Sequence, residues 1–191
     1  MQWNRVLLFK NRIIICISLL YFMGIQVGNA QTNANDFPTT WLGEWTGELV
    51  IFGPEGERQR VPMSLLIENI DTSANWTWQL SYGSGDKLDQ RPYELVLVDL
   101  AKGHYVIDEK NSIVLDVYHI AGKIFSRFEV MGNLLLITYE KKGEELLFEV
   151  ISGRETDKKQ TGGQELDGQE IPIVHSYPIS IRQTASLKRK N

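Results

Sequence analysis

The sequence predicts an all-β protein: an antiparallel up-and-down β-barrel of about ten strands, with no substantial helix after an N-terminal targeting segment. Three observations predict it. From Glu44 onward apolar and polar residues alternate with period two, the spacing that puts every second side chain on one face of a strand. Short turn signals interrupt the alternation at regular intervals, and strands joined by so few residues pair antiparallel. After residue 30, no stretch of ten or more residues carries the 3.6-residue apolar spacing of an amphipathic helix.

Residues 1–30 read as a signal peptide. Arg5, Lys10 and Arg12 form a basic start without an acid, Ile13 to Val27 is apolar, and Gly28-Asn29-Ala30 supplies small residues at the cleavage positions. The expected product begins near Gln31 and is secreted or periplasmic. A membrane anchor is the competing reading, but the apolar run is about 15 residues, short of the roughly 20 that span a bilayer. Cleavage also removes Cys16, the single cysteine, so the exported chain would have no disulfide and no thiol chemistry. Three of the 20 basic residues and none of the 24 acidic ones lie in this segment, leaving residues 31–191 at a formal net charge of −7. That balance argues against nucleic acid as a partner, which would call for a basic patch. Residues 31–191 form one domain's worth of chain, long enough for a single core.

Along that domain, Phe37 to Leu42 suggests a short helical turn. Strands follow near 44–52, 60–70, 75–82, 91–99, 103–108, 112–120, 123–131, 134–141, 144–152 and 177–187. The intervening turns carry Gly, Asn, Asp or Pro, as at Gly53-Pro54-Glu55-Gly56, Ala121-Gly122, Gly132-Asn133 and Lys142-Gly143. Residues 153–176 break the rhythm with a long polar, Gly-rich loop, a length that marks either a solvated excursion or a lid.

Two-residue turns at Ala121-Gly122, Gly132-Asn133 and Lys142-Gly143 would set His119 opposite Ile124, Val117 opposite Ser126, Leu115 and Ile137 opposite Phe128, Ser126 opposite Tyr139, and Tyr139 opposite Leu146. All three turns then converge on one apolar face: Leu115, Val117, Ile124, Phe128, Val130, Leu135, Ile137, Leu146, Phe148 and Val150. The opposite face pairs Asp116 with Arg127. Trp45, Leu49 and Ile51 share the inner face, as do Met63, Leu65 and Ile67, and Trp76, Trp78, Leu80 and Tyr82. In the last strand Tyr177, Ile179, Ile181, Ala185 and Leu187 alternate with polar residues. Strand 91–99 does not sort, because Leu95 and Leu97 compete with Val96 and Val98; it is buried on both faces or carries a bulge. Two lengths remain open for the loop at 108–112. Three residues, with Asn111 left-handed, put Tyr105 and Ile107 inside and His104 outside facing Asp116; two residues send His104 inward toward His119. The first buries more apolar surface.

His119, Ser126 and Tyr139 are the polar residues on the inner face, and the turn order places His119 and Tyr139 toward one end of the barrel. The functional reading is a cluster that orients a ligand's head group, with Trp45, Trp76, Trp78, Phe128 and Phe148 lining an apolar cavity. The structural reading is a small hydrogen-bonded network in a filled core.

Other chemistry finds little support. The three histidines, His104, His119 and His175, lack the spacing of a metal site. His104 and Asp108 stand about 13 Å apart along a strand, too far to share a proton. No Gly-x-Ser-x-Gly elbow occurs. Gly83-Ser84-Gly85 precedes no helix and lacks the Gly-Lys-Ser/Thr ending of a phosphate loop. No residue is assigned a catalytic role, and no cofactor is assigned.

Gly43-Glu44-Trp45, after a short turn and at the start of the first strand, resembles the Gly-x-Trp opening of the lipocalins and wider calycins. The resemblance implies a ligand-binding barrel with Trp45 closing its base. Ile137-Thr138-Tyr139 matches the lipocalin Thr-Asp-Tyr motif in part only, and the lipocalins' late helix is missing. Ten strands without a helix are similar to nitrobindin-type and fatty-acid-binding-type barrels. The nitrobindin likeness would imply a haem histidine near the C-terminus, for which His175 is the candidate. Gly103 to Phe128 also resembles uncharacterised secreted bacterial proteins.

Three functions follow as expectations. The leading one is an exported barrel that binds an apolar or amphipathic small molecule. The second is a ligand-free interaction module acting through its outer face or the 153–176 loop, with self-association through Phe125, Leu134, Leu136 and Leu147. The third is a haem-binding or enzymatic barrel.

Overall fold

The computed structural model describes residues 37–190, so the signal-peptide reading lies outside the described residues. After a 3-10 turn at Thr39–Trp41 come β1 (Gly43–Gly53), β2 (Gly56–Ile67), β3 (Trp76–Tyr82), β4 (Asp89–Asp99), β5 (His104–Asp108), β6 (Val114–Ile120), β7 (Lys123–Val130), β8 (Asn133–Lys142) and β9 (Glu145–Arg154). Four short strands follow, β10 (Lys159–Thr161), β11 (Glu165–Leu166), β12 (Gln169–Glu170) and β13 (Val174–Ser176), and then β14 (Ile181–Arg189). Strands β1 to β9 and β14 close an antiparallel ten-stranded barrel in which each strand pairs with its neighbour in sequence and β14 pairs with both β9 and β1. Closure gives every strand of the ring a partner on both sides.

The face assignments hold because alternation has period two. Trp45, Leu49, Met63, Leu65, Ile67, Trp78, Leu80, Val117, Ile124, Leu146, Phe148 and Val150 are buried. Two turns differ from expectation. Met131-Gly132 turns β7 into β8 with φ of +50° and +73°, pairing Phe128 with Leu135 and Ser126 with Ile137. Gly143-Glu144 turns β8 into β9, pairing Tyr139 with Phe148. A two-residue hairpin turn with positive φ at both positions favours glycine second, which Met131-Gly132 satisfies and Gly132-Asn133 does not. Sliding a turn by one residue moves every partner by two, so the same side chains stay inside. Ala121-Gly122 turns as expected and pairs His119 with Ile124.

The expected pairs of Val117 with Ser126 and Leu115 with Phe128 are not part of the ladder, which stops at Tyr118 and Phe125. The loop between β5 and β6 is Glu109 to Ile113, with Lys110 and Ser112 left-handed rather than Asn111. Tyr105 and Ile107 are buried inside, and His104 lies outside with Nε2 2.7 Å from Asp116 Oδ1. Asp116 thus pairs with His104, not Arg127. In β4 the conflict resolves as a bulge between Leu97 and Asp99: Leu95 is buried, while Leu97 and Val98 are exposed. The last strand starts at Ile181 rather than at residue 177. Pro178 cannot donate to a ladder, and Tyr177 and Ile179 are exposed. Residues 153–176 are organised as two short antiparallel pairs, β10 with β13 and β11 with β12.

One end of the barrel is plugged. Phe37 and Trp41 are buried there. Trp45 Nε1 donates to the Trp41 carbonyl at 2.7 Å, and Tyr105 donates its hydroxyl to the Phe37 carbonyl at 3.3 Å. The Arg189 guanidinium lies 4.7 Å from the Trp45 ring centroid and donates to the carbonyls of Leu42 and Thr40. Gly47 permits this closure: a Cβ there would come within 2.5 Å of the Ser186 carbonyl oxygen on β14.

Candidate functional site

Inside the wall lies a cavity of about 480 Å³. Its walls are apolar, built from Trp78, Phe128, Leu135, Ile137, Tyr139, Phe148 and their neighbours on the inward face. It extends toward the end of the barrel opposite the plug, where the turns after β1, β3, β5 and β7 lie. Tyr82, Arg91, Tyr93, Glu109, Glu129 and Gln183 contribute its polar lining.

Of the candidate site residues, Trp78, Ser126, Phe128, Tyr139 and Phe148 border this cavity. The Ser126 hydroxyl donates to the Asp116 carbonyl at 2.8 Å and so is spent on the wall itself. Tyr139 packs edge-on to Trp78, with ring centroids 5.2 Å apart, and against Phe148 at 4.9 Å. Burial drives the Tyr139 phenol well above its ordinary pKa, so the hydroxyl stays protonated. The Trp78 indole N–H is near that phenol but outside hydrogen-bonding geometry; buried, it has no partner among the described residues.

The other three candidates lie elsewhere. Trp45 belongs to the plug. Trp76 is half-buried, 6.5 Å from the Tyr105 ring. His119 stacks on Phe37 at 4.7 Å and meets Trp41 edge-on. The structure therefore does not gather His119, Ser126 and Tyr139 around one opening, because the end that His119 faces is the plugged one.

Burial lowers the His119 pKa below its ordinary 6.5. The unfolded chain then binds the imidazole proton first as pH falls, so folding stability should decline as pH drops below about 6.5. Replacing His119 with Phe should flatten that decline between pH 6.5 and 5, measured by urea denaturation; an unchanged slope would remove His119 as its source.

Sequence reasoning missed the polar rim. The β3–β4 register pairs Trp78 with Tyr93, Leu80 with Arg91 and Tyr82 with Asp89, which turns Arg91 and Tyr93 inward. Counting back in twos from Leu95 would have found them. The Arg91 guanidinium lies 5.0 Å from the Tyr82 ring centroid, and its Nε and Nη2 donate to one Asp89 oxygen at 3.0 and 2.8 Å. Burial pushes the Tyr82 phenol up to about 12, opposed by Arg91. Burial, assisted by the Glu109 carboxylate, raises Tyr93 as well. Both rim phenols are therefore neutral hydrogen-bond donors at physiological pH.

Several solved structures share the fold, among them the following two. An S-type phycobiliprotein lyase from Guillardia theta superposes with a TM-score of 0.53 at 7% identity, over 78% of this chain and 88% of that one. A protein of unknown function from the DUF3598 family of Nostoc punctiforme superposes with a TM-score of 0.51 at 14% identity, over 81% of this chain. The chain spans about half of that second protein, 48% of its length. At such identities the likeness concerns the fold alone. Against protein-family models and curated protein sequences the chain has no match.

His175, the haem candidate, lies exposed on β13 with Nε2 3.0 Å from Gln160 Oε1, apart from the cavity lining. Among the described residues, no group of three or more His, Cys, Asp or Glu side chains is placed to hold a metal ion, and no helix is long and apolar enough to cross a membrane.

Proposed function

We propose that this protein is an exported barrel that reversibly binds a small apolar or amphipathic molecule in its interior. The observation that carries the reading is the cavity of about 480 Å³, apolar in its walls and polar at its rim. Such a shape removes a ligand's apolar surface from water at about 25 cal/mol per Å² while leaving a polar end hydrated or bonded to Tyr82, Arg91 and Tyr93. Export rests on the residue 1–30 pattern. Thermal unfolding with a naphthalene-based dye and a panel of fatty alcohols tests the reading, alongside native mass spectrometry before and after organic extraction. At about one hundred times Kd a ligand should add about 2.7 kcal/mol of stability. An unmoved melting temperature across the panel, with no mass lost on extraction, would contradict it.

An interaction module is the second reading. It is favoured by an outer groove of about 270 Å³ between β7–β9 and the Tyr177-Pro178-Ile179 segment, lined by Arg127, Leu134, Leu136 and Ile151. Two of the proposed self-contact residues, Leu134 and Leu136, border it; Phe125 and Leu147 do not, and all four are half-buried.

A further inference from the structure

The barrel wall is incompletely zipped at one place. Three residue pairs join β6 to β7, the last being Tyr118 with Phe125, although β6 reaches back to Val114 and β7 runs on to Val130. Where the ladder stops, the Ser126 hydroxyl bonds the Asp116 carbonyl and holds the strands together by a side chain instead of a backbone pair. Beyond that clasp the cavity reaches into the seam. Glu129 pairs with Leu134 and faces outward by alternation, yet it borders the cavity.

Apart from Glu129, the outer margin of the seam carries large apolar side chains on both sides. Ile113 and Val114 on one side, Val130 and Met131 on the other, are all exposed, Met131 at 95%. Ile113 and Val130 also line the cavity, so its apolar wall reaches this lip, with the Glu129 carboxylate beside it. A compact ligand held wholly inside leaves the lip in water. A chain-like ligand covers it and gains about fourfold in affinity for each further methylene removed from water.

We propose that the β6–β7 seam is part of the binding site, and that the ligand is a chain-like amphiphile whose apolar tail leaves the cavity along the seam and lies against the lip. This rests on the cavity being a binding site. The tail is the occupant that the continuity of lip and cavity favours.

The probes are saturated 1-alkanols from octanol to octadecanol, delivered from cyclodextrin, with affinity read by displacement of a bound naphthalene dye. The native protein should gain about threefold to fourfold per methylene across the whole series. A Val114→Thr, Met131→Asn variant changes only lip residues outside the cavity lining, and Asn accepts the positive φ of that turn. It should bind octanol as the native protein does and fall behind at least about tenfold at octadecanol. If the double variant does not fold, Met131→Asn alone carries the test. The proposal is overturned if variant and native curves coincide at every length, or if the native curve flattens before the long chains. A native dimer that the variant converts to monomer would assign the lip to a second copy and also overturn it. Binding of octanol with no length difference between the proteins removes the seam but keeps the cavity; no binding of any alcohol removes both.

Discussion

Trp45→Ala should lower the stability of the folded protein by about 3–5 kcal/mol, the range for deleting a large buried aromatic side chain. Three losses combine. The side chain is fully buried, so its removal opens a void between the plug and the strands. The Trp41 carbonyl loses its indole donor, and the Arg189 guanidinium loses the ring it rests on. For a domain of this size the melting temperature should fall by roughly 10 °C or more. Trp45→Phe keeps most of the volume and removes the hydrogen bond, and should cost about half as much. Calorimetric melting of both variants checks the order. A Trp45→Ala protein melting within about 2 °C of native would mean that the plug does not hold the barrel's base.

Ile137→Trp should weaken binding of bulky apolar probes while leaving a folded barrel. Ile137 is half-buried on the cavity wall, on the inward face of β8 between Leu135 and Tyr139. A larger ring there fills space that a ligand would occupy. Overpacking typically costs about 1–3 kcal/mol, and the existing space reduces that strain. The expected result is a near-native melting temperature that the dye and long alcohols raise less than they raise the native protein's, for which stability should grow by about 2.7 kcal/mol at one hundred times Kd. Unchanged binding by this variant would place the ligand elsewhere, with the outer groove beside Leu136 and Ile151 as the next candidate.

The faces of the strands were legible because a period-two pattern survives a turn that slips. Phe128 was expected opposite Ile137 and stands opposite Leu135, and both partners point inward. Turn position was less legible, since Gly132-Asn133 and Met131-Gly132 differ by one residue and only the positive-φ demand separates them. The candidate site was legible in part. Trp78, Phe128, Tyr139 and Phe148 border the cavity, but nothing in alternation tells which end of a barrel is stoppered. That depended on Phe37 and Trp41 folding back beneath Tyr105 and His119, a contact between segments far apart in the chain. It reversed the meaning of His119 and moved the polar opening to Arg91, Tyr82 and Tyr93. The break between β6 and β7 was not legible either, because the residues that fail to pair, Leu115 and Phe128, carry the same alternation as those that do.

The most direct test of the interior binding site is the set of nuclear Overhauser contacts between bound 1-octanol and isotope-labelled protein. The cavity predicts contacts from the alkyl chain to the side chains of Ile137, Tyr139 and Phe148, and none to Leu136 or Ile151, their outward-facing neighbours. Contacts to Leu136 and Ile151 with silence from Tyr139 and Phe148 would contradict it.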